Sequence, residues 1–134
     1  MPADIGKEPR ILVVDDDDAF RAFLEELLVQ SGYQILVAAS GKQAIEVAMA
    51  ELPDLIVLDV MMPDISGGMA AHLLSENIAT QNIPIIFLTS IISQEQEMMV
   101  GNQEGNYLFL AKPIRAEHLL KEVKAALQSS DSTA

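Results

Sequence analysis

Five side chains stand out for what they could do together. Asp15 and Asp16 follow the apolar run Ile11-Leu12-Val13-Val14, and Asp59 follows Leu55-Ile56-Val57-Leu58. Thr89 ends the run that begins near Pro84, and Lys112 follows the run from Tyr107 to Leu110. Crowded carboxylates repel one another unless something neutralises them. A hard divalent cation with oxygen ligands does so, and Mg²⁺ takes one or two carboxylates with waters and a phosphate. Each residue also has a plain structural role open to it. Asp18 suits the cap of the helix that follows, Asp17 a solvated position, Asp59 a turn, Thr89 an ordinary strand and Lys112 simple charge neutralisation. The common setting argues otherwise, since each of the five ends or follows an apolar run.

The elements that must position them alternate in type. Ile11 to Val14 and Leu55 to Leu58 are continuous apolar runs, as expected for strands buried on both faces. Tyr33 to Ala39, Pro84 to Leu88 and Tyr107 to Leu110 read as three more strands. Between the first two lie Phe20, Phe23, Leu24, Leu27 and Leu28, spaced as one face of a helix, with Gly32 at the expected C-terminal stop. Ile45, Ala48, Met49 and Leu52 make another helical face, ended by Pro53. A helix is expected from about Gly67 to Glu76, and a last one from Leu119, Leu120, Val123 and Leu127. The Ser93 to Asn106 segment predicts a short or shifted helix broken by turn-prone residues.

Alternating strands and helices imply an α/β fold, a mostly parallel sheet with helices on both faces. Five strands suit the flavodoxin-like, doubly wound order 2-1-3-4-5, in which ligands bind beyond the carboxyl ends of the strands. All five chemical residues fall at that edge.

Bulk properties narrow the classes. The 134 residues fit one domain with a real core. The net charge of −12, with eight scattered Lys and Arg, argues against direct nucleic-acid binding. The chain has no cysteine, which excludes disulfides, thiol catalysis and thiolate metal sites. No apolar run approaches the roughly 20 residues needed to cross a bilayer. No signal peptide is evident at residues 1–9, and a cytoplasmic location is expected.

The chain resembles the receiver domain of two-component response regulators. The resemblance covers residues 10–128, between expected flexible ends at 1–9 and 129–134. It is carried by Ile11 to Asp17, by the run from Pro53 to Gly67 (with Asp59-Val60-Met61-Met62-Pro63 at its centre), by Ile83 to Ser90, and by Lys112-Pro113. The resemblance implies that Asp59 accepts a phosphoryl group from a histidine kinase or a histidine phosphotransfer domain. It implies Mg²⁺, with Mn²⁺ as a substitute, held by Asp16 and Asp59 directly, by Asp15 mainly through water, and by the Met61 carbonyl. Thr89 and Lys112 would contact phosphoryl oxygens, and the Lys112-Pro113 bond would be cis. The expected role is a signalling module that is not an enzyme in its own right, a monomer or a weak phosphorylation-dependent dimer that switches protein contacts.

The resemblance also assigns a switch to Thr89 and to the aromatic three residues before the lysine, here Phe109, which lacks a hydroxyl. Met61 and Ile91, two residues after Asp59 and Thr89, are apolar and cannot orient an attacking water, so slow autodephosphorylation is expected. Two other classes compete. A haloacid-dehalogenase-type hydrolase would want an acid two residues after its nucleophile, where Met61 stands. A docking module without phosphorylation would not need Asp16, Asp59, Thr89 and Lys112 together. His72 and His118 fall on helices away from the rim and read as surface or packing residues.

Overall fold

The computed structural model describes residues 8–90 and 107–132. The expectations for the segment 93–106, for Ile91 and for the first seven residues lie outside them. The described elements run β1 (Arg10–Val14), α1 (Asp18–Gln30), β2 (Gln34–Ala38), α2 (Gly41–Glu51), β3 (Leu55–Asp59), α3 (Gly67–Ser75), β4 (Ile85–Thr89), β5 (Tyr107–Ala111) and α4 (Ala116–Ser132). The five strands pair in parallel in the order β2-β1-β3-β4-β5. This is the doubly wound order that the strand and helix alternation predicts.

Alternation along each strand divides the interior into two cores. Leu12, Val14, Ile56, Leu58, Ile85 and Phe87 face α2 and α3, packing on Ala44, Ala48, Ala70, Ala71 and Leu74. Ile11, Val13, Leu55, Val57, Ile86 and Leu88 face α1 and α4, packing on Leu24, Leu28, Leu119 and Val123. Residues two apart on a strand share a face, so unbroken apolar runs supply both cores at once.

Local chemistry sets the helix ends, with four departures from expectation. Asp17, not Asp18, caps α1: its backbone is extended (φ −82°, ψ 108°) and its carboxylate accepts from the N–H groups of Ala19 and Phe20. Asp18 lies one residue inside the helix and pairs with Arg21 at 2.6 Å. The buried stripe of α2 is Gly41, Ala44 and Ala48, so Met49 and Leu52 are exposed rather than part of the core face. Phe23 on α1 is likewise exposed. The last helix runs on to Ser132, past the end expected at residue 128. Gly32 has φ +97° just beyond α1, the left-handed stop expected there.

Candidate functional site

The parallel sheet carries the five chemical residues to one edge. Asp15 and Asp16 leave the end of β1, Asp59 and Thr89 are the last residues of β3 and β4, and Lys112 follows β5. Each strand is pinned by its register: Val14 lies opposite Leu58, Asp59 opposite Leu88, and Thr89 opposite Ala111. Two backbone hydrogen bonds extend the sheet past its ends. Asp15 N–H donates to the Ala38 carbonyl at 3.3 Å, and Lys112 N–H to the Thr89 carbonyl at 2.8 Å. The Lys112-Pro113 bond is cis.

Asp15, Asp16 and Asp59 each offer a carboxylate oxygen, and these oxygens lie within 4.8 Å of one another. Asp15 is 1% exposed and Asp59 9%, whereas Asp16 is open to solvent. Lys112 Nζ stands 2.9 Å from Asp15 Oδ2 and 3.7 Å from Asp59 Oδ2. Burial is the largest influence on Asp59 and pushes its carboxyl above the ordinary value of 3.8; Lys112 and the Met61 N–H oppose this, while Asp15 and Asp16 reinforce it. An all-oxygen set of three crowded carboxylates, with one lysine against three negative charges, suits a hard divalent cation. Burial and the two neighbouring carboxylates disfavour the charge on Asp59, which a cation would offset.

Supporting contacts hold the site from two directions. Arg21 on α1 donates to the Asp15 carbonyl at 2.7 Å while paired to Asp18, which secures the β1–α1 turn. On the other side, the 60–66 loop is fastened at both ends. Asp64 accepts from the N–H groups of Gly41 and Lys42 at the start of α2, at 3.1 and 2.8 Å. Those bonds, the Lys42 N–H foremost, hold its carboxyl down at about 2. Gly41 must be glycine here, because a Cβ would fall under 3.0 Å from Ile65. Gly67 N–H donates to the Val60 carbonyl at 2.8 Å, and a Cβ at Gly67 would run into the Asp59 carbonyl oxygen. The Met61 N–H donates to Asp59 Oδ1 at 3.3 Å.

Thr89 is 1% exposed and lies on the same sheet face as Phe109, across from Ala111. Phe109 stacks on Phe87 with ring centroids 4.5 Å apart, and Tyr107 meets Phe87 edge-on at 5.7 Å. Phe109 is thus packed against the α2–α3 core. Met61 is exposed beside Asp59. His72 and His118 are exposed, each 3.5 Å from a glutamate one turn along its helix.

The family model for the response regulator receiver domain matches residues 11–124. The chain is a member of that family. It is 35% identical over 118 residues to Protein PilH of Pseudomonas aeruginosa, covering 88% of this chain and 97% of PilH. It is 33% identical to the transcriptional regulatory protein AfsQ1 of Streptomyces coelicolor, over 92% of this chain. This receiver domain spans about half the length of AfsQ1 and of the other transcriptional regulators it matches, 53% in that case. Among solved structures it is similar to the receiver domain of a sensor histidine kinase from Pseudomonas aeruginosa PAO1. The TM-score is 0.80 at 26% identity, covering 90% of this chain and 98% of that one. That receiver has a magnesium ion coordinated in its active-site cleft. Among the described residues of the present chain, no helix is long and apolar enough to cross a membrane.

The rim is legible in the sequence; its supports are not. The contacts of Arg21 with Asp15 and of Asp64 with the start of α2 join residues without any motif in common. Asp64 and Gly67 fall within the run from Pro53 that carries the resemblance, but their contacts do not show there.

Proposed function

We propose that this receiver domain accepts a phosphoryl group on Asp59 from a phosphohistidine and thereby switches its protein contacts. The observation that carries the reading is the juxtaposition of Asp15, Asp16 and Asp59 with Lys112 at the carboxyl edge of the sheet. Asp15, Asp16, Asp59 and the Met61 carbonyl would hold Mg²⁺, or Mn²⁺ in its place. The bound ion would offset the repulsion between an anionic phosphoryl group and the carboxylates.

The chain's own residues supply the rest. An Asp59 carboxylate oxygen attacks phosphorus as the P–N bond to the donor imidazole breaks. The electron pair of that bond goes to the imidazole, which takes a proton from solvent, and the product is an aspartyl phosphate. Phosphoryl transfer depends chiefly on positioning and charge stabilisation. Lys112, already 3.7 Å from Asp59, pairs with one phosphoryl oxygen. The Thr89 hydroxyl donates to another and so connects the new charge to β4. Thr89 and Phe109 share a face of adjoining strands, which supports the pair as the switch. The donor would be a histidine kinase or histidine phosphotransfer domain, encountered in the cytoplasm. Phosphorylation would act on partner docking or weak self-association rather than on nucleic acid directly.

Incubation with acetyl phosphate and Mg²⁺, followed by mass spectrometry, tests the reading. One phosphoryl group is expected, on Asp59, lost in Asp59→Asn and absent when the metal is chelated. A phosphoryl group on another residue, or none, would refute it.

A further inference from the structure

Lys112 has a third neighbour that the proposed chemistry does not use. Its ammonium stands 4.2 Å from the centroid of the Phe20 ring. An ammonium has three N–H donors and no acceptor. Here it faces Asp15 at 2.9 Å, Asp59 at 3.7 Å and an aromatic face on another side. That face attracts a cation through the ring quadrupole without taking a hydrogen bond that an incoming anion must break.

Phe20 is itself held firmly. It lies in the first turn of α1, where its N–H donates to the capping carboxylate of Asp17 at 3.1 Å. Its ring packs against the α1–α4 core and against Phe23, with centroids 6.1 Å apart. The cap that orders the acidic β1–α1 turn therefore also sets the ring under the lysine. Lys112 is 19% exposed at its side chain, so the ring acts where water is only partly present to screen it.

We propose that Phe20 is a positioning residue for phosphoryl acceptance. Its ring face keeps the Lys112 ammonium, hydrogen-bonded to Asp15, within reach of Asp59 as well. The inference rests on the reading of Asp59 as the acceptor. Packing alone would ask only for an apolar side chain at this place. The ring's electrostatics, not its bulk, is what the lysine requires.

The test replaces Phe20 with phenylalanines carrying increasing numbers of ring fluorines, which weaken the quadrupole while nearly preserving shape. Phe20→Leu and Phe20→Tyr complete the series. Two readouts are taken: the rate of Asp59 labelling by acetyl phosphate with Mg²⁺, and the ring-current shift of the Lys112 methylene protons beside Nζ. The shift is expected in the wild type and absent in Phe20→Leu. The labelling rate is expected to fall stepwise with fluorination, by about three- to tenfold in all. Phe20→Leu should match the slow end, and Phe20→Tyr should recover most of the loss. A structural role would move the unfolding midpoint without following the number of fluorines. Labelling that ignores the fluorine series, or a wild type without the ring-current shift, overturns this inference and leaves Asp59 as acceptor. A wild type that takes no label overturns both.

Discussion

Removing the central carboxylate should make the metal-free domain more stable. In Asp59→Asn the side chain keeps its shape and can still accept the Met61 N–H, but loses its charge. With an effective dielectric of about 20, a like charge at the 4.8 Å that bounds their separation costs about 3.5 kcal/mol, so Asp15 opposes Asp59 by at least about that amount. Lys112 at 3.7 Å returns about 4.5 kcal/mol. Asp16 is exposed, and its repulsion falls toward about 1 kcal/mol. At that bound the pair interactions nearly cancel, and any closer approach adds to the penalty. What remains is the desolvation of a carboxylate that is only 9% exposed, which costs several kcal/mol at full burial. Partial hydration and the Met61 N–H reduce it, so Asp59→Asn should gain about 1–2 kcal/mol. The sign with pH follows from the raised carboxyl. Protonated Asp59 is neutral, so the penalty is absent below the ordinary value of 3.8 and grows as pH rises through the higher folded value. The gap between variant and wild type should therefore be full at pH 7 and close as pH falls. Mg²⁺ should narrow it too, because at ten times its Kd a ligand of the wild type adds about 1.4 kcal/mol. Urea unfolding with chelator and with Mg²⁺, at several pH values, measures all three effects. A variant no more stable than the wild type in chelator would refute the account of a charge buried at a cost.

Three further outcomes follow from the same site. Met61→Asn places a polar group beside the acceptor, and phosphate loss should become several-fold faster; identical decay rates would dismiss a water-orienting role for this position. Asp64→Ala should lower stability at pH 7, and the loss should fade as pH drops from 3.8 to about 2, as followed by urea unfolding against pH. Gly67→Ala sets a Cβ against the Asp59 carbonyl, so it should cost about 1–3 kcal/mol in thermal or urea unfolding and slow labelling of Asp59 as well.

The sheet and the rim were legible because buried parallel strands read as unbroken apolar runs, and because a polar residue at the end of such a run has few reasons to be there. Asp15, Asp16, Asp59, Thr89 and Lys112 all met that condition. The cap of α1 was not legible. Asp15 to Asp18 are four adjacent candidates of one chemistry, and only backbone angles decide which of them caps. The α2 face was misread because apolar character was taken as burial. Alanines let that helix sit close to the sheet, and the larger Met49 and Leu52 are left outside. Contacts such as Arg21 with Asp15, Asp64 with Lys42 and Phe20 with Lys112 depend on elements meeting in space. No local periodicity encodes them.

The double fastening of the 60–66 loop also has a mechanical meaning. Asp64 anchors it to α2, and Gly67 lies directly on the carbonyl of Asp59. That side of the rim is stiff. A load applied at Asp59 has little room to be absorbed there. Across the sheet, the Lys112 N–H donates to the Thr89 carbonyl at 2.8 Å. The 60–66 loop thus holds Asp59 in place from the α2–α3 side of the rim.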